Sequence, residues 1–241
     1  MHVRRWIPGL PWAALVLALA LGSAVITAAS VVYFGAELAP FVLEKLEQAL
    51  PREDVWMLAL RLHVIAAAVC LPACLVLSSR TVLGHAPRLH RWLGRVTGTL
   101  VLLVLVPSGL HLSFFAKGGL LSTAGFQLSG LIVAVAMVQG VRTARARRFA
   151  EHRRWVLHVL AQLSVAVTSR AMLFALDAAA VDEITAYLVS LWLPVLGSFA
   201  LVELSTNRTR PSLASWRNHE VPADARHPHL RPRSPRRALG H

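Results

Sequence analysis

Apolar residues along this chain fall into long unbroken runs separated by short polar segments. Six runs reach the ~17–25 residues that a helix needs to cross a bilayer, at about 12–34, 55–77, 97–115, 124–141, 155–177 and 185–204. Backbone groups in hydrocarbon must bond within their own segment, so such runs are helices. None alternates apolar and polar positions as a membrane β-barrel strand does. The pattern therefore predicts an all-α, polytopic transmembrane helical bundle of six spans. The first run follows Arg4-Arg5 and passes small residues at Gly22-Ser23-Ala24, as a signal peptide would. It continues apolar through Val25–Phe34, longer than a signal core, and reads as a retained helix.

Two flanking segments carry other patterns. Residues 36–50 place Leu38, Phe41, Val42, Leu46 and Ala49 on one helical stripe and Glu44, Lys45, Glu47 and Gln48 elsewhere. That predicts an amphipathic helix lying at the outer membrane surface. From residue 205 to 241 the chain is rich in Arg, Pro, His and Ser without an apolar period, and reads as a disordered basic tail. Residues 1–11 form a short amino-terminal segment before the 12–204 membrane domain.

Composition agrees with the runs. Hydrophobic residues make up 56% and charged residues 15%, with a mean hydropathy of +0.56. Soluble chains carry about 25% charged residues, so this one lacks the polar surface to coat a water-facing globule. The same figures exclude a disordered chain, a secreted disulfide scaffold and a compact nucleic-acid-binding domain. The net charge of +13 comes from 25 basic residues, of which only Lys45 and Lys117 are lysines. The placement of that charge matters more than its total.

Arg4 and Arg5 precede the first span, and Arg80, Arg88, Arg91 and Arg95 lie between the second and third. Arg142, Arg145, Arg147, Arg148, Arg153 and Arg154 surround the gap between the fourth and fifth, and eight arginines follow the sixth. Twenty basic residues thus share one side, against Lys45, Arg52 and Lys117 on the other. By the positive-inside rule both termini are cytoplasmic, and the protein is expected in the cell inner membrane. The lipid bilayer is then its first partner, with anionic lipid against the basic cytoplasmic face. No nucleic-acid partner is expected, and association into a homo- or hetero-oligomer is left open. Cys70 and Cys74 lie inside an apolar run and form no disulfide framework.

Ionisable side chains within spans are expensive and therefore functional candidates. Arg61, His63, His111, Gln127 and Arg170 form an expected outer polar layer, with Asp177 seven residues beyond Arg170 as a partner for it. Arg170 is expected to face the bundle interior. His85, His90, His152 and His158 form an inner layer. His90-Arg91-Trp92 opens the third span and His152-Arg153-Arg154-Trp155 the fifth, so two histidines stand at matched cytoplasmic positions. His63, His90, His111 and His152 are candidate haem or metal ligands. Arg91, Arg95, Arg153 and Arg154 are candidates for holding anionic groups at the cytoplasmic face. An equally weighted alternative is Trp and Arg anchoring at the interface.

His63, Ala67, Cys70 and Cys74 share one helical face, which suits a soft metal but suits small-residue packing beside Pro72 better. Gly94-x-x-x-Gly98 allows close helix approach, Pro107 and Pro194 predict bends, and Gly118-Gly119 a tight turn. No phosphate-cradling loop, nucleophile elbow or HExxH is present.

HRWLGR at 90–95, PSGL at 107–110, GGLLSTAGF at 118–126, HRRW at 152–155 and TSR ending at Arg170 occur in that order. Over about 55–205 the chain resembles the bacterial multi-pass membrane family called domain of unknown function 2306. The resemblance implies His63, His90, His152 and Arg170 as signature polar positions. The chain departs from that pattern at His158, where Arg is expected, and at His111.

Three functions follow as expectations. The first is a redox membrane protein, linked to b-type haem or quinone, in which histidines on facing helices ligate iron. The second is a small transporter or channel subunit whose site is the outer Arg/His pocket. The third is a non-enzymatic assembly or structural partner of a membrane complex.

Overall fold

A computed structural model describes residues 10–35, 39–48 and 50–207. The amino-terminal segment before Leu10, residues 36–38 and 49 of the amphipathic segment, and the tail beyond Asn207 lie outside the described residues. The described residues up to Leu204 make up one compact unit.

Among the described residues every regular element is a helix. α1 (Leu10–Ala29) tightens into a 3₁₀ turn over Ser30–Phe34, and α2 (Pro40–Glu47) follows as a short crossing piece. α3 (Glu53–Ser78) is the second long helix, and α4 (Arg80–His85) turns the chain. α5 (Pro87–Leu100), a π-helical turn (Val101–Leu105) and α6 (Val106–Ser113) run on as one third rod. α7 (Gly119–Arg145), α8 (Phe149–Ala178) and α9 (Glu183–Asn207) complete the bundle. Six of these stretches are long and apolar enough to cross a membrane, at Trp12–Phe34, Glu53–Ser78, Pro87–Ser113, Gly119–Arg145, Phe149–Ala178 and Glu183–Thr206.

These helices outrun the apolar windows, most of all at Pro87, ten residues before the expected start near 97. Charge does not end a helix, since its backbone bonds continue into the interface; left-handed residues do, whereas Pro72 and Pro194 lie inside α3 and α9. Pro87 and Pro40 sit in the first turn of their helices, where no backbone donor is lost. Gly118, at φ 86°, makes the reversal before α7. The bundle has an α2 end, with Gly118 and Asp182, and an opposite, Arg-rich end, with Arg91, Arg145 and Arg153.

The main core joins Ala66 and Cys70 of α3, Val101 and Leu105 of the π turn, Val133, Ala136 and Met137 of α7, and Val159 of α8. Cys70 is wholly buried and Cys74 packs against this cluster, so both thiols act as small apolar side chains. Gly98 turns its bare backbone to Met137 and Val141, the close approach that the glycine spacing predicts. Leu19 of α1 packs with Leu71, Leu75 and Leu160, fixing α1 to α3 and α8. Of the six spans α1 is the least enclosed.

The amphipathic segment does not simply float at the surface. Ala39, Val42, Leu50, Trp56 and Leu60 form a second buried cluster, with Leu112 and Phe115 packed on it. α2 is thereby docked over the ends of α3 and α6. Lys45, placed with the polar positions by its spacing, is buried; its ammonium donates to Gln48 Oε1 at 3.2 Å and lies 6.0 Å from the Phe41 ring centre. The long aliphatic stem covers apolar surface while the head keeps its acceptor.

α9 starts on a side-chain cap. Asp182 Oδ2 accepts from the Thr185 amide and hydroxyl, both at 3.0 Å. The Thr185 amide bond is the main cause that holds this carboxyl below its ordinary value. A depressed carboxyl stabilises the fold above the unfolded value and loses that contribution as pH falls through the folded one. Asp182→Ala is therefore expected to lower thermal stability at neutral pH and to approach the wild type only in acid, as pH falls from the ordinary carboxyl range through the depressed folded value. Thermal unfolding in detergent across that range measures the convergence.

Candidate functional site

Polar side chains gather at both ends of the bundle, with the Cys70–Val101–Val159 core between them. Toward the α2 end, His63 of α3 is docked into the irregular part of the third rod. Pro107 has no amide to give, and the backbone just before it widens into the π turn, where Val106 N–H reaches Val101 O. His63 Nδ1 lies 3.2 Å from both the Leu105 carbonyl and Ser108 Oγ. Ser108 Oγ spends its own proton on Val104 O at 2.6 Å. A carbonyl can only accept, so Nδ1 carries the imidazole proton and Nε2 keeps its lone pair. Gly109 makes this possible, because a Cβ there would come 2.9 Å from His63 Cε1.

Arg170 of α8 lies within electrostatic range of His63 and of Tyr187. It does not face the bundle interior. Its guanidinium is exposed in a groove of about 360 Å³ between α1 and α8, lined by Ile26, Ala29, Ser30, Tyr33, Val167 and Ala171 among others. The reason is angular: Arg154, His158, Gln162 and Arg170 recur at multiples of four along α8, and each step of four turns about 40° further round the helix. Arg154 and Arg170 thus project about 160° apart.

The expected acceptors do not reach Arg170. Its hydrogen bond is to Ala166 O of its own helix, at 2.9 Å. Gln127 donates instead to Leu110 O at 3.1 Å and Ser113 Oγ at 2.7 Å, and Asp177 is exposed near the end of α8. Among the described residues no carboxylate pairs with Arg170 or Arg61. Arg61 Nε donates to the Tyr33 carbonyl at 3.3 Å.

At the Arg-rich end the matched motifs do converge, since His90 and His152 lie within electrostatic range. His152 Nδ1 donates to Gly140 O at 2.8 Å, whereas His90 Nδ1 is buried with no partner. Arg91, Arg95 and Arg153 are exposed. Arg154 is not available to outside anions: its Nη2 donates to both oxygens of Glu203, at 2.7 and 2.6 Å. His158, only 1% exposed, holds Glu203 Oε1 through Nε2 at 2.9 Å. One turn further, Gln162 donates to Val195 O and Ser198 Oγ, both at 3.0 Å, and accepts from Ser129 Oγ at 2.9 Å.

Glu203 is the residue that sequence reasoning passed over. A carboxylate in the last turn of an apolar run was a visible signal, but two candidate cations 45 and 49 positions away could not be connected to it.

His63 rests its Cε1 and Nδ1 side on the backbone of Gly109, and His111 sets its ring 5.5 Å from Phe115. Between the two histidine layers the interior is filled by core side chains. Among the described residues no three His, Cys, Asp or Glu side chains are grouped to hold a metal ion.

Long apolar helices, a dry core and ionisable groups at both ends define a six-span integral membrane protein. A family model described as "Predicted membrane protein (DUF2306)" matches residues 60–206, and the chain belongs to that family. The match begins inside α3, so α1 and α2 lie outside it. No curated protein and no solved structure matches the chain.

Proposed function

We propose that the protein is a small transporter-type component of the inner membrane whose loading site is the Arg170 groove, with the α2 end outside and both termini in the cytoplasm. The observation that carries this reading is a permanently charged guanidinium within a span, open to a groove and with no carboxylate partner among the described residues. Arginine does not deprotonate in proteins, and an intramembrane charge of this kind is retained at a cost of several kcal/mol. An anionic ligand would supply the counter-charge that the described residues do not. His63 lies within electrostatic range of Arg170 and adds a polar group behind the groove. The positive-inside distribution supports the orientation.

The test has two arms. Reporter fusions after residues 50, 119 and 181 should behave as external, and those after 86, 148 and 215 as cytoplasmic; a reversed pair overturns the orientation. The purified protein should gain thermal stability from at least one anion in a panel of water-soluble and lipid-linked phosphates. Arg170→Leu should abolish that gain while keeping expression and a monodisperse elution profile. An Arg170→Leu protein that responds as the wild type does removes the groove from the function.

A further inference from the structure

We infer that the ligand of the Arg170 groove is an anionic phospholipid-type amphiphile, its phosphate held by Arg170 and Arg61 and its chains lying in two furrows that flank α1. This rests on the anion-binding reading above and names its ligand class. Arg61 stands eight residues inside the α3 terminus at Glu53, and Arg170 eight residues inside the α8 terminus at Ala178. At 1.5 Å per residue both lie about 12 Å below the ends of their helices. They meet α1 at the same place, since Arg61 bonds the carbonyl of Tyr33 and Tyr33 lines the Arg170 groove.

Below each arginine the surface turns apolar. Under Arg170 the groove follows α1 from Tyr33 back to Gly22, a run of about 16 Å at helical rise. One helical turn beyond Arg61 a second furrow of about 220 Å³ lies between α1 and α3, walled by Val31, Phe34, Val64, Ile65, Ala68 and Val69. Ile65, Ala68 and Val69 follow Arg61 by four, seven and eight positions, so they continue its stripe away from the α2 end. Ser30 borders both furrows, and its hydroxyl is turned back to Ile26 O at 2.8 Å. Two cations with no acid paired to them among the described residues, set above apolar furrows beside the least enclosed span, complement a negative head with hydrocarbon chains. A free inorganic anion would leave both furrows unused.

The experiment uses the full chain, delipidated in detergent, with native mass spectrometry and thermal stability as readouts. The probes are dioleoyl phosphatidylglycerol, dioleoyl phosphatidylcholine and glycerol phosphate. Phosphatidylglycerol is expected to bind at least tenfold more tightly than phosphatidylcholine, with no competition from glycerol phosphate at equal concentration. Arg170→Leu and Arg61→Leu should each weaken it tenfold or more. Ala68→Trp, which fills a furrow without touching either arginine, should weaken it too. Arg61 is exposed and makes one long bond, so its variant provides a folded protein should Arg170→Leu misfold. If glycerol phosphate binds through Arg170 and Ala68→Trp leaves binding intact, the amphiphile is overturned and the anion site stands. If the two lipids bind alike and neither arginine matters, or if no phosphate binds, both readings fall.

Discussion

Glu203→Ala is expected to destabilise the folded protein by about 3 kcal/mol, the low end of the range for stranding a partner of an enclosed ion pair. The low end applies because the Arg154 and Glu203 side chains are 29% and 26% exposed, so water screens part of the loss. Removal of the carboxylate leaves a guanidinium with a buried Nε that has no partner, and takes the acceptor from His158, whose Nδ1 is likewise buried without one. Arg154→Met should cost a similar amount, since Glu203 then loses the guanidinium that binds both of its oxygens. The double variant Arg154→Met/Glu203→Met should recover most of either loss, because replacing both charges by apolar side chains is often neutral. The seven tryptophans, among them Trp155 beside Arg154, report unfolding in mixed micelles. Additive single costs in the double variant would show that the two charges do not act as a pair.

Gly109→Val is expected to cost about 2 kcal/mol, within the range for overpacking a well-filled contact, and to expel His63 from its seat. The added Cβ would stand 2.9 Å from Cε1 and 3.2 Å from Nδ1, against a ring that cannot bend away while Nδ1 stays on Leu105 O. Gly109→Ala places the same Cβ with fewer atoms behind it and should cost about half as much. Nitrogen NMR of labelled histidine should find His63 with Nδ1 protonated and Nε2 bare in the wild type, and that signature lost in Gly109→Val. If the valine protein keeps both its stability and the His63 signature, the ring is not seated on the Gly109 backbone.

Much of the architecture was legible because it depends on local composition. A run of about 20 apolar residues must be a helix wherever it lies, since hydrocarbon offers no other partner to its backbone. The six spans, the turn at Gly118 and the approach at Gly98 all follow from residues near one another in the chain. The chemistry at the matched His-Arg-Trp motifs was half legible: His90 and His152 do come within electrostatic range, but Arg154 leaves that group for Glu203. The amphipathic period of α2 was clear, while burial of Lys45 was not, because a stripe does not say what docks on it.

Hydrophobic runs and the number of spans were therefore determined by sequence alone, each run being a property of a single segment. Which side chains meet was decided only by tertiary structure. The 40° drift of a four-residue repeat turns Arg154 toward α9 and Arg170 toward α1, so two arginines on one helix end with opposite fates. One is paired with a carboxylate 49 positions away, and the other opens onto a groove. Rotation of each helix about its own axis sets those pairings, and that rotation is fixed by the packing of neighbours such as Leu19 on Leu160, Gly98 on Met137 and Gly125 on Leu191.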